Sequence, residues 1–92
     1  MIVQKKILIS GKVQGVGFRM HTARQAQQIG GLKGYVRNLT NGCVEVLVQG
    51  EKSKADALVQ YCKKGPAHAE VTTLHVHDEK INQDLDLFQI QY

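Results

Sequence analysis

The chain has 92 residues, 42% of them hydrophobic, and a formal net charge of +4 from 12 Lys and Arg against 8 Asp and Glu. This length predicts one small domain over residues 1–92, and the positive charge is compatible with an anionic ligand without choosing between a small phosphate and nucleic acid. The apolar run Ile7 to Ile9 is too short for a signal peptide or membrane span, so we expect a cytoplasmic protein with no membrane partner.

The first predicted elements are a strand, a glycine-rich loop and a helix. The apolar, β-branched run from Gln4 to Ser10 predicts a buried strand, which leads into three glycines and an arginine between Gly11 and Arg19. Glycine permits the positive-φ turns that aim several backbone N–H groups at one anion. The helix predicted from Phe18 to Ile29 adds the positive end of its dipole, and Arg19 adds a forked cation. The loop therefore predicts a site for a phosphate-sized anion.

Two familiar phosphate motifs do not fit this loop. A nucleotide-binding P-loop ends in Gly-Lys-Ser/Thr, whereas Gly17 is followed here by Phe18 and Arg19. The dinucleotide fingerprint also fails, because its third glycine is absent and the next strands read as a hairpin rather than a parallel crossover.

The next predicted element is a β-hairpin. Strands from Lys33 to Leu39 and from Cys43 to Gln49 flank Asn41-Gly42, the pair that best accepts two positive φ values in a tight turn. Asn38, near the end of the first strand, carries both a donor and an acceptor and is suited to hold a water molecule. The alternative interpretation is that Asn38 only stabilises the turn by bonding the local backbone.

A second helix and two more strands complete the pattern. Ser53 to Asp56 resembles a capping box, apolar residues follow at helical spacing, and Gly65-Pro66 ends the helix. Glu70 to His77 and Leu85 to Gln91 predict strands. The order βαββαβ with one extra strand is the split β-α-β pattern, so we expect the α+β class: a ferredoxin-like α/β sandwich with an antiparallel sheet and two helices on one face. Such a fold alone does not determine function.

Two sequence motifs resemble the signatures of the acylphosphatases, small enzymes that hydrolyse carboxyl-phosphate mixed anhydrides. The run from Ile9 to Arg19, ISGKVQGVGFR, resembles the first signature. A second segment resembles the second signature: it reads Gly34-Tyr35-Val36-Arg37-Asn38 and continues, at the family's spacing, with Gly42, Val44 and Gly50. Lys64-Gly65-Pro66, Ala69-Glu70-Val71 and the last residues, Phe88 to Tyr92, are also similar, so the resemblance extends over nearly the whole chain.

The resemblance implies a role for each matching residue. Backbone N–H groups of the loop would bind the phosphoryl group, Arg19 would clamp it, and Asn38 would position the attacking water. The implied phosphate-binding residues are Gln14, Gly15, Val16, Gly17, Phe18 and Arg19. The family needs no metal or organic cofactor, and its substrate is a small acyl phosphate that yields inorganic phosphate. Where the family often has arginine before its last aromatic residue, this chain has Gln91.

Other interpretations of the sequence remain open. A non-catalytic anion-binding or acyl-phosphate-binding module of the same fold would carry the same loop. A small basic RNA-binding domain would need stacking aromatics, and the strand from Cys43 to Gln49 has none, although Tyr35 stands on its neighbour; we expect no nucleic-acid partner. His21, two residues after Arg19 on the helix, is predicted to face away from it.

The remaining histidines and the cysteines predict no metal centre. His75 and His77 share a strand face but have no evident third ligand, and Cys43 and Cys62 lack the paired spacing of a zinc or redox motif. We expect both thiols to be free and the protein to be a monomer.

Overall fold

The computed structural model describes residues 1–92 and contains five strands and two helices. In chain order they are β1 (Ile2–Lys12), α1 (Phe18–Ile29), β2 (Lys33–Asn38), β3 (Val44–Glu51), α2 (Lys52–Lys64), β4 (Glu70–Asp78) and β5 (Gln89–Gln91). The ferredoxin-like α+β fold expected from the sequence is confirmed, and α1 has the bounds that its periodicity predicts. Neither helix has the length and apolar character needed to cross a lipid bilayer.

The five strands form one sheet in the order β4-β1-β3-β2-β5. Three of the four strand pairings are antiparallel: β3 pairs antiparallel with both β1 and β2, and β1 pairs antiparallel with β4. The strands β1 and β2 therefore run in the same direction. The residues that follow β1 and those at the end of β2 consequently lie at the same end of the sheet.

The last strand corrects the expectation of a fully antiparallel sheet. β5 pairs parallel with β2, through Tyr35–Gln89, Val36–Ile90 and Arg37–Gln91, so the sheet is mixed. It is also shorter than the predicted run from Leu85 to Gln91. The physical reason is that residues 79–88 carry the chain from the β4 edge to the opposite edge, and the chain arrives there running in the direction of β2.

Two buried glutamines hold this crossing segment in place. Gln49 Nε2 donates to Gln4 Oε1 at 2.9 Å and to the Asn82 carbonyl at 2.8 Å. The Asn82 backbone N–H donates to Gln4 Oε1 at 2.7 Å. Since Gln4 and Gln49 are paired across β1 and β3, the network fastens the segment to the centre of the sheet.

The core lies between the helices and one face of the sheet. Alternate residues of the central strands point into it, and the apolar stripes of both helices cover them. Its fully buried members include Ile7, Ile9, Val36, Val44, Val46, Val48, Ala55, Leu58 and Cys62. Both cysteines are free, as expected, and Cys43 Sγ lies 3.2 Å from Ser10 Oγ.

Two local predictions are wrong. The α2 helix begins at Lys52, with Glu51 at its N-cap and no side-chain capping bond, so Ser53 forms no capping box. Asp56 instead pairs with Lys52 at 2.8 Å, one helical turn apart. In the hairpin, only Gly42 has positive φ; Asn41 does not, because its Oδ1 accepts a hydrogen bond from the Cys43 N–H at 3.0 Å in a longer loop.

Gly34 is the glycine whose replacement the sheet tolerates least. It is buried with φ of 137°, and a Cβ atom there would lie 1.8 Å from the Leu47 carbonyl oxygen. We expect Gly34→Ala to lower the free energy of unfolding by at least about 3 kcal/mol, measured by urea unfolding. Gly42→Ala is the matched control: φ is 92° but nothing lies within 4 Å, so about 1 kcal/mol is expected. Equal losses at the two positions would contradict this.

Candidate active site

A cavity of about 140 Å³ opens at the end of the sheet where β1 and β2 both terminate. The loop between β1 and α1 forms one side, the end of β2 another, and the β5 region a third. It is lined by Val13, Gly15, Gly17, Phe18, Arg19, Met20, Asn38, Ile90 and Tyr92. The parallel course of β1 and β2 thus brings Asn38 to the glycine loop.

The loop has the positive-φ glycines that the sequence predicted. Gly15 and Gly17 have φ of 74° and 76°, in the left-handed region that favours glycine. Gly17 is also the N-cap of α1, with no side-chain cap and no acidic residue in the first turn. The first N–H groups of the helix therefore have no competing carboxylate. Phe18, 2% exposed, anchors the helix start in the core.

Arg19 faces the cavity without an ionic partner. Its side chain is half-buried and makes no ion pair, and its guanidinium lies 4.8 Å from the centre of the Tyr92 ring. A cation stacked on an aromatic face keeps its N–H donors at its edge. Those donors are available to an oxyanion in the cavity.

Asn38 is half-buried, lines the cavity and makes no side-chain hydrogen bond within the chain. The turn-stabilising role considered for it belongs instead to Asn41, which accepts the bond from Cys43 N–H. The amide of Asn38 is therefore free to bind a water molecule or a ligand.

Gln14 and Val16 are the two predicted loop residues that do not line the cavity. Val16 is half-buried against the hydrophobic core. The side chain of Gln14 crosses to the β2–β3 hairpin, where it bonds two backbone carbonyls. Any part these residues play in binding an anion would come from their backbone N–H groups.

Comparisons with known proteins agree with this geometry. The family model described as Acylphosphatase matches residues 5–90. A protein named Acylphosphatase from Acaryochloris marina (strain MBIC 11017) is 45% identical over 82 residues, which are 89% of this chain and 87% of that protein. Another from Syntrophus aciditrophicus (strain SB) is 40% identical over 92 residues, 100% of this chain and 95% of that protein.

The chain belongs to the acylphosphatase family. Its fold also matches the crystal structure of acylphosphatase from Bacillus subtilis with a TM-score of 0.91, at 33% identity and covering 100% of both chains. As an acylphosphatase, it is a hydrolase that acts on acyl phosphates and releases phosphate.

The apolar side of this cavity was not predicted from the sequence. Val13, Met20, Ile90 and Tyr92 line the cavity, and Met20 and Tyr92 are 50% and 98% exposed. The only local signal was an apolar Met20 on the outer side of α1. Ile90 could not be assigned, because its place depends on the parallel pairing of β5 with β2.

His21 does not line the cavity, but it lies close to the glycine loop. Its imidazole Cδ2 is 3.2 Å from the point where a Cβ on Gly17 would stand, and its backbone N–H donates to the Gly17 carbonyl at 3.0 Å. The ring thus covers Gly17, and a side chain at Gly17 would displace it.

Arg37, the residue before Asn38, is held away from the site. Its Nε and one terminal nitrogen lie 2.9 Å and 2.8 Å from Glu45 Oε1, and the Tyr35 hydroxyl donates to the same oxygen at 2.8 Å. Arg37 therefore has a carboxylate partner, whereas Arg19 has none and lines the cavity.

The Tyr35–Glu45 contact predicts a loss of stability in alkali. Burial and the hydrogen bond to Glu45 raise the pKa of Tyr35 from 10.0 to about 12. The neutral Tyr35 phenol therefore stabilises the folded state fully below pH 10, where the phenol is protonated in the folded and the unfolded protein. This contribution to the free energy of unfolding disappears as pH rises to about 12. We expect Tyr35→Phe to flatten the fall in unfolding free energy over this interval, measured by urea unfolding. Tyr92→Phe, at an exposed ring, should leave the fall unchanged; the reverse pattern would contradict the assignment.

Proposed function

We propose that hydrolysis takes place in the cavity between the glycine loop and Asn38. The observation that carries the proposal is that two polar side chains, Arg19 and Asn38, line one cavity while neither has an ion-pair or hydrogen-bond partner in the chain. The loop N–H groups and Arg19 bind the phosphoryl oxygens, and Asn38 holds the attacking water. Positioning and charge stabilisation are what phosphoryl transfer mainly requires.

The proposed step balances without a metal or an organic cofactor. The water oxygen bonds to phosphorus, and the bond from phosphorus to the carboxyl oxygen breaks with its electron pair, which releases a carboxylate. That leaving group is stable as an anion at neutral pH and needs no general acid. No Asp, Glu or His side chain lines the cavity, so we propose that a phosphoryl oxygen of the substrate takes the water's proton. A pH–rate limb that disappears in His21→Gln would contradict this route.

The assay of choice is benzoyl phosphate hydrolysis by the wild-type protein, with and without a chelator. Turnover well above the buffer rate, and equal in both conditions, supports the proposed site chemistry. Phosphate binding without turnover would instead indicate an anion-binding module. Salt-dependent binding of an RNA oligonucleotide in place of turnover would indicate a nucleic-acid binder.

We propose that residues 1–92 form one domain that works as a monomer in the cytoplasm. The family match over residues 5–90, one core cluster and two free thiols support this. Light scattering is expected to give a mass near the 10.2 kDa of one chain, and twice that mass would contradict the monomer.

A further inference from the structure

The side chain of Gln14 joins the phosphate loop to the hairpin that carries Asn38. Its Nε2 atom donates to the Leu39 carbonyl at 2.7 Å and to the Cys43 carbonyl at 2.9 Å. A carbonyl oxygen only accepts hydrogen bonds, so the Gln14 group that faces both is the NH₂ group, and its two hydrogens serve one carbonyl each. Gln14 itself is half-buried.

These two carbonyls stand on the two sides of the hairpin loop. The Leu39 carbonyl also accepts from the Gly42 N–H at 3.2 Å, and the Cys43 carbonyl accepts from the Leu39 N–H at 2.9 Å. The glutamine amide therefore ties both ends of the loop together from outside the hairpin. Its own backbone directly precedes Gly15, whose positive φ shapes the anion loop.

We propose that Gln14 is a positioning residue that fixes the distance between Asn38 and the bound phosphoryl group. Asn38 immediately precedes Leu39, so the bridge connects the backbone just before the anion loop with the backbone just after the water-binding residue. Without it, the end of β2 is held by its pairing with β3 and by the backbone hydrogen bonds of the hairpin loop, since β5 pairs no further than Arg37. The inference rests on the proposed roles of Arg19 and Asn38.

Gln14→Met tests the bridge, because it preserves the length of the side chain and removes both donors. We expect kcat for benzoyl phosphate to fall about 10- to 100-fold, since a misplacement of about 1 Å can cost about 10² in rate. The inhibition constant of inorganic phosphate should change by less than about threefold, because the loop N–H groups and Arg19 are untouched. Gln28→Met, at an exposed glutamine of α1 with no hydrogen bond, is the matched control and should retain wild-type values.

A double-mutant cycle separates positioning from general damage. If Gln14 acts through Asn38, adding Gln14→Met to Asn38→Ala should lower kcat no further. An equal loss in both backgrounds, a parallel loss of phosphate affinity, or a variant that no longer folds would each overturn the proposal, because Gln14 would then support the loop or the fold.

A readout independent of turnover keeps this inference distinct from the proposed function. In the phosphate-saturated protein, ¹⁵N relaxation should show a rigid Asn38 backbone in the wild type and in Gln28→Met, and a mobile one in Gln14→Met. Unchanged order at Asn38 would overturn the positioning role even if hydrolysis stands. An inactive wild type with this mobility change would overturn the hydrolytic site but leave the bridge supported.

Discussion

Replacing Arg19 with alanine is expected to lower kcat/KM for benzoyl phosphate by about 10³-fold, the upper end of what one oxyanion donor contributes. The guanidinium is half-buried, unpaired and faces the cavity, so its charge is not already neutralised by a carboxylate. Inhibition by inorganic phosphate should weaken together with kcat/KM, because the same group holds substrate and product. Steady-state hydrolysis and phosphate inhibition measure both quantities.

Arg24→Ala is the matched control for Arg19. Arg24 lies on the same helix, is exposed and makes no ion pair, so its removal takes away the same net charge without touching the cavity. Arg19→Lys keeps the charge but loses the fork of donors, and we expect its kcat/KM to lie between the alanine variant and the wild type. Activity that survives Arg19→Ala, or falls as far in Arg24→Ala, would contradict the clamp.

Asn38→Ala is expected to lower kcat by about 10² to 10³, while inhibition by inorganic phosphate stays near the wild-type value. The reason for this split is that Asn38 is proposed to hold the water and not the phosphoryl group. Asn38→Asp should also weaken phosphate inhibition, because it places a negative charge beside the anion. The same hydrolysis assay checks both variants.

Asn41→Ala is the control within the same hairpin. Its side chain bonds the Cys43 N–H and lies outside the cavity lining, so we expect only a small effect on kcat. A loss at Asn41 as large as that at Asn38 would indicate that hairpin order, rather than a bound water, limits the rate. Loss of phosphate affinity in Asn38→Ala would indicate that Asn38 binds the phosphoryl group rather than the water.

Elements controlled by neighbouring residues could be predicted from the sequence. The helix from Phe18 to Ile29 has its predicted bounds, because glycines limit it on both sides and its apolar spacing is regular. The loop has positive φ at Gly15 and Gly17, a conformation that glycine favours. These features depend on local backbone preferences, which a short stretch of sequence carries by itself.

Some features that depend on distant residues could not be predicted. The crossing segment is fastened by Gln4 and Gln49, two polar residues whose burial appears only when the segment lies over them. The parallel direction of β5 follows from that crossing. The prediction of a capping box was wrong for a related reason. The chain enters α2 directly from β3, so the helix begins before Ser53.

Local residue types and spacing were enough to predict a loop suited to an anion, a nearby arginine and a candidate asparagine. The folded arrangement was needed to show that Arg19 and Asn38 lack partners while Arg37 has one, and that Ile90 and Tyr92 line the cavity. The fold was also needed to show the hydrogen bonds of Gln14, since its two acceptors lie 25 and 29 residues along the chain. These contacts depend on the strand order, because β1 and β2 run in the same direction on either side of β3 and therefore end at the same end of the sheet.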